Sequence, residues 1–176
     1  MSLHEPPTLA GLLRQSQSYV DVLRERIRRE PGTLFAILDA CDEPRVPEKV
    51  EELGPKRAVS LYRGWAEGDY WAIAPYLVEV DEPLLDWILE NLWSDPWGIF
   101  AAAPVDLAAL RKHFRRFLKV RGPEGNELYF RFYDPRVLPL FLSTCNPQEI
   151  DQFLGPILAF WVTQPDRTLL AIERRR

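Results

Sequence analysis

Asp39, Cys41 and Asp42 follow one another at the end of an apolar run and carry side chains that could do chemistry. In α/β folds the loop beyond a strand end is a common place for ligand and catalytic groups. A cysteine attacks only as a thiolate, which needs a histidine or cation nearby to lower its pKa; the adjoining residues supply neither. The plainer account is a buried thiol beside two loop-forming carboxylates. A paired-carboxylate or metal site of Asp39, Asp42 and Asp134 lacks ligand spacing, so no metal and no cofactor is expected. His4 lies in a short leader, and His113 falls at the edge of a helical stripe, as a boundary residue would. No glycine-rich phosphate loop follows a strand, and GxSxG, CxxC and HExxH are absent. No catalytic residue is assigned, and a small enzyme using Asp39, Cys41 and Asp42 stands as an alternative.

Binding chemistry has better material. The stretch YFRFYDPR (129–136) places Arg131 between Tyr129 and Tyr133, and a guanidinium flanked by rings can be held by cation–π contact. Leu128, Phe130 and Phe132 alternate with these residues, which predicts a strand with an apolar inner face and a Tyr-Arg-Tyr outer face. Asp134-Pro135 then predicts a helix cap, with Arg136 in the first turn. Arg111, Lys112, Arg115 and Arg116 on one predicted helix, with Lys119 and Arg121 just beyond it, form the most visible charge feature, and Arg174–Arg176 add a basic tail. A nucleic-acid footprint would need aromatics on the same face, whereas Phe114 and Phe117 belong to the core stripe. A solvated face is the simpler account, and a nucleic-acid-binding accessory domain is the second alternative. Among the large aromatics, Trp65, Tyr70 and Trp71 surround a glycine-containing loop instead of a periodic stripe. They are the first candidates for an exposed partner surface, ahead of Trp87, Trp93, Trp97 and Trp161.

The elements that must carry these residues follow from periodicity. Leu9, Leu12, Leu13, Ser16, Val20, Leu23 and Ile27 predict an amphipathic helix ended by Pro31-Gly32. Thr33–Asp39 (TLFAILD) is apolar on both faces, as in a strand covered on both sides. A short helix is weakly signalled at Glu48–Leu53, and strands at Ala58–Tyr62 and Ala74–Val80. Asp81 and Asp106 cap helices with stripes Leu85-Ile88-Leu89-Leu92 and Leu107-Leu110-Phe114-Phe117-Leu118. Trp97–Ala102 is a strand between them. Lys119–Arg121 and Glu127–Tyr133 predict a hairpin, Asn146-Pro147 opens a helix through Phe153, and Phe160–Thr163 with Thr168–Glu173 predicts a terminal hairpin. The expected fold is mixed α/β (α+β): a mixed sheet with hairpins, flanked by amphipathic helices, in one domain over 1–176, with a leader at 1–7 and a basic tail at 174–176.

Composition bounds the function classes. Of 176 residues 47% are hydrophobic, including six Trp, which argues for a packed globule. A net charge of −4 gives no global attraction to nucleic acid. Cys41 and Cys145 form no metal spacing or disulfide framework, and no apolar run is long enough to cross a membrane. A cytoplasmic protein is expected.

Several stretches together resemble one family: LFAILDA (34–40), APYLVEV (74–80), WGIF (97–100), LRKHFRRFLKV (110–120), YFRFYDPRVLPLFL (129–142) and FLGPI (153–157). In this order and spacing the chain resembles the type VI secretion effector adaptor-chaperones, whose shared domain was long labelled only as one of unknown function. The resemblance implies a non-enzymatic protein of the bacterial cytoplasm that holds a toxic effector and helps load it onto a VgrG-type spike. It implies no cofactor, small-molecule substrate, nucleic acid or membrane, and it brings no catalytic residues. The partner-binding candidates are Trp65, Tyr70, Trp71, Tyr129, Arg131, Tyr133 and Arg136. Many members carry an additional C-terminal region implicated in effector contact; this chain ends soon after the predicted terminal hairpin.

Overall fold

The computed structural model describes residues 13–16, 19–28, 32–62 and 70–173; Trp65, the leader and the basic tail lie outside them. In chain order the first elements are β1 (Leu13–Ser16), α1 (Tyr19–Arg28), β2 (Thr33–Asp39), α2 (Arg45–Leu53) and β3 (Ala58–Ser60). A 3-10 turn at Trp71–Ile73 precedes β4 (Pro75–Glu79), α3 (Glu82–Asn91), β5 (Gly98–Ala103) and α4 (Leu107–Arg115). The remainder is β6 (Lys119–Arg121), β7 (Glu127–Tyr129), α5 (Leu138–Thr144), α6 (Pro147–Leu154), β8 (Ala159–Thr163) and β9 (Leu169–Glu173).

Seven strands form one sheet in the order β1-β9-β8-β5-β2-β4-β3, and β6 with β7 forms a separate ribbon. The architecture is α+β, as expected. Among the described residues every pairing is antiparallel, so the sheet is antiparallel where a mixed one was expected: the helices between strands return the chain to neighbouring strands in the opposite direction instead of making parallel crossovers.

Side chains of a strand alternate between faces, and here each face meets its own core. Phe35 and Ile37 of β2 join Leu77, Ile99, Phe160 and Ile172 in one cluster, covered by Leu110, Phe114, Leu142 and Phe153 of α4, α5 and α6. Leu34, Ala36 and Leu38 join Val78, Phe100 and Ala171 in the other, covered by Leu23, Val46, Leu85 and Ile88 of α1, α2 and α3. Three layers result. Antiparallel sheets commonly wet one face; this one is dry on both, which is why TLFAILD shows no polar alternation. Each fully buried Leu, Ile or Phe contributes about 1.5–3 kcal/mol relative to exposure.

Helix starts follow local chemistry. The Asp81 carboxylate accepts the Leu84 N–H at 3.0 Å, and Asp106 accepts that of Ala109 at 2.7 Å. Asn146 and Glu149 satisfy each other's backbone N–H groups in a capping box.

Four expectations change. The helix expected over Leu9–Ile27 is described at Tyr19–Arg28, whereas Leu13–Ser16 is a strand that pairs with β9 and supplies backbone partners to it; Leu9 and Leu12 lie outside the described residues. The strand expected to reach Tyr133 stops at Tyr129: the Phe130 N–H still donates to Leu118 at 2.8 Å, then the chain turns inward. Within that turn the period of two is lost, so Phe132 and Tyr133 are both buried while Leu128 is exposed. Asp134 does not cap α5, whose N-cap residue is Val137 with no side-chain cap hydrogen bond. His113 is buried instead of lying at a boundary.

The surroundings of His113 fix its state. Arg116 can only donate, so Nδ1 accepts from it (2.7 Å) and Nε2 carries the proton to the Phe153 carbonyl (2.8 Å). Burial lowers the imidazole pKa; the Phe153 contact opposes this and the Arg116 charge reinforces it. Gly155 makes room for the ring, since a Cβ there would lie 2.3 Å from it.

Two predictions follow from these contacts. Gly98 has φ +146°, and a Cβ there would stand 1.8 Å from the Ile37 carbonyl oxygen. Gly98→Ala should therefore lose on the order of 3 kcal/mol or more in urea unfolding; a loss under about 1 kcal/mol would contradict this packing. A histidine whose folded pKa lies below its unfolded value of 6.5 contributes stability above that value, and the contribution is lost as pH falls below it. Urea midpoints should drop as pH falls below about 6.5, and His113→Gln should remove that part of the slope.

Candidate protein-interaction site

β2 ends on Asp39, a buried carboxylate whose Oδ1 accepts the Cys41 N–H at 3.0 Å. Its Oδ2 accepts from the Arg131 guanidinium, which the inward turn after β7 carries to this end of the sheet. Three residues on, Asp134 is also buried and accepts from Arg136 through the backbone N–H (2.8 Å), Nε (2.9 Å) and a terminal nitrogen (2.6 Å). Two carboxylates below the surface thus each hold an arginine, whose side chains remain 44% and 68% exposed.

Electrostatics separates the two acids. Burial raises the Asp39 pKa, outweighing the Cys41 N–H and Arg131, and the Asp134 charge pushes the same way. Burial also acts upward on Asp134, but the Arg136 hydrogen bonds and positive charge outweigh it, and the net shift is downward. Tyr133 lies beneath them, hydrogen-bonded to the Tyr62 hydroxyl, with its pKa raised by burial.

The expected Tyr129–Arg131–Tyr133 face is therefore not assembled. Tyr133 points into the core and Arg131 into its carboxylate. Tyr129 remains exposed, lies 4.9 Å from the Tyr62 ring, and has Lys119 Nζ 5.7 Å from its own centroid. Arg136 precedes α5 instead of lying in its first turn.

The structure places Asp39, Cys41 and Asp42 together without nucleophile activation. Burial and the charges of Asp42 and Asp39 all raise the Cys41 thiol pKa, against the smaller influence of Arg131. Among the described residues no group of three or more His, Cys, Asp or Glu side chains could hold a metal ion, and no helix is long and apolar enough to cross a membrane.

The basic helix is also partly committed. Arg111 Nε donates to the Ser60 carbonyl at 2.8 Å, and Arg115 Nε to that of Leu61 at 2.9 Å, with its terminal nitrogen on Ser60 and Tyr62. Arg116 is turned to His113, and Lys119 pairs with Glu127 at 2.8 Å. These arginines hold the segment after β3 against α4, so this face is not a continuous solvated stripe.

The aromatics sort clearly. Trp97 and Trp161 are core, and Trp87 and Trp93 pack half-buried against it. Tyr70 and Trp71 are 45% and 47% exposed, beside the equally exposed Ile73. The Trp71 carbonyl accepts the Tyr76 hydroxyl at 2.6 Å, tying this turn to β4. Opposite it, the turn Ala40–Glu43 leads from β2 into α2, closed by the Glu43 N–H on Ala40 (3.0 Å), with Asp42 at φ 64°. Between the two lies a groove of about 390 Å3, with Trp71 and Ala72 on one wall and Asp42, Pro44, Pro47 and Glu48 on the other. Sequence reasoning reached Trp71 and Asp42 separately but missed their shared groove. The only local signal was the interleaving of prolines and acids over 42–48.

A family model described as a domain of unknown function (DUF4123) matches residues 34–152, a span from β2 into α6 that includes the arginine-held carboxylates and the groove. No curated protein and no solved structure matches the chain.

Arg136→Ala tests the Asp134 contact. A carboxylate whose folded pKa is lowered contributes stability above its unfolded value of 3.8, lost as pH falls through the folded value. Removing Arg136 should cost about 1–3 kcal/mol at neutral pH and move acid unfolding, followed by circular dichroism, to higher pH.

Proposed function

The chain belongs to the DUF4123 family, and from that membership we propose that it is a non-enzymatic adaptor-chaperone that holds a type VI secretion effector and helps load it onto a VgrG-type spike. The observation that carries the reading is the exposed trio Tyr70, Trp71 and Ile73 beside an acid-lipped groove. Solvent-facing large apolar groups rimmed by charge suit protein recognition, because their burial drives association while the rim selects the partner. The ordered resemblance from LFAILDA to FLGPI supports the same role in the bacterial cytoplasm. The raised Cys41 thiol pKa favours it over a nucleophile at the end of β2. The adaptor acts by binding alone, with proteins as its partners.

Tagged protein expressed at native level in its host should co-purify with one effector and a spike protein, identified by mass spectrometry against a tag-only control. Recovery of neither would overturn the adaptor reading.

A further inference from the structure

We propose that the groove between the Trp71 turn and the start of α2 seats an arginine side chain presented by a segment of the effector. The identity of the occupant rests on the adaptor reading; the chemistry of the groove does not.

One wall carries an indole that is 47% exposed, although its turn is anchored to β4 by the Tyr76 hydroxyl. The other carries three carboxylates with different commitments. Glu43 is taken by Arg45, with Nε at 2.7 Å on one oxygen and a terminal nitrogen on the other. Among the described residues no guanidinium or ammonium group pairs with Asp42 or Glu48; Asp42 accepts only a weak contact from the Cys41 thiol at 3.8 Å. The groove therefore keeps negative charge in a space that the exposed Trp71 also lines. Pro44 and Pro47 stiffen that wall, and Ala72 leaves space beside the indole.

A guanidinium fits this arrangement from both sides. It is planar and weakly hydrated, stacks on indole, and can turn its N–H fork to a carboxylate at the same time. Cation–π contact with an indole already occurs on α2, there from an ammonium group, with Lys49 Nζ 5.1 Å from the Trp87 ring. The volume of about 390 Å3 lies at the small end of ligand-sized pockets. Exposed Tyr70 and Ile73 supply apolar contact for residues beside the inserted arginine.

The minimal probe is N-acetyl-arginine methylamide, titrated into the full chain labelled with 15N at the indoles. The Trp71 resonance is assigned by its loss in Trp71→Phe. Saturable movement of that resonance is expected, with the citrulline analogue about ten-fold weaker, a difference of ~1.4 kcal/mol. Asp42→Asn with Glu48→Gln should weaken arginine by a similar factor without changing the urea midpoint, since Asn tolerates the positive φ at residue 42. No saturable movement, or equal movement by citrulline, overturns the proposal; equal binding of the lysine analogue overturns its assignment to arginine.

The same double variant then replaces the wild type in the native co-purification. Effector recovery reduced about ten-fold supports the groove as its seat. Undiminished recovery overturns the groove and leaves the adaptor reading standing. A wild type that recovers no effector overturns the adaptor reading and this occupant with it, whatever the probe binds.

Discussion

From Leu34 to Asp39 no side chain of β2 reaches water, and the rest of the molecule answers to that constraint. An antiparallel strand that is dry on both faces needs a helical layer on each, and the chain supplies them from different regions. Helices before and just after the first strands cover one face, and helices from Leu107 onward cover the other. Burial extends to the last residue of β2, where a carboxylate cannot be left without partners. Asp39 receives its cation from Arg131, 92 positions along the chain. The sheet and the turn after the β6–β7 ribbon are thereby fixed to each other.

Much of this was legible because it is local. The unbroken apolarity of TLFAILD, the caps at Asp81, Asp106 and Asn146, and the terminal hairpin each depend on residues a few positions apart. What escaped depends on distant partners. Leu13–Ser16 follows a helical pattern but is held by β9. Alternation from Leu128 to Phe132 imitates a strand, yet the backbone turns once Phe130 has made its bond to Leu118. His113 looked like a boundary residue because its partner, the Phe153 carbonyl, lies 40 positions away.

The candidate site divides in the same way. Tyr70 and Trp71 stood out because they follow no period, and they are exposed. Tyr133 was misplaced together with the strand that was to carry it. The groove facing Trp71 needed α2, the weakest helix in the sequence, to be brought opposite a 3-10 turn. The arginine-held carboxylates shape the corner, whereas the groove faces outward with charge uncommitted. The structural role and the proposed binding role thus fall on neighbouring but different residues.

The arginines that grip Ser60, Leu61 and Tyr62 have a consequence for how the protein meets others. Among the described residues β3 is the last strand on its side of the sheet, and open carbonyls there would be a template for stacking with another molecule. With the Ser60 oxygen occupied at the end of β3 and those of Leu61 and Tyr62 just past it, an incoming strand would have to displace guanidinium groups to pair at that end. A protein that leaves Tyr70, Trp71 and Ile73 exposed is thereby guarded, at this margin, against polymerising with itself.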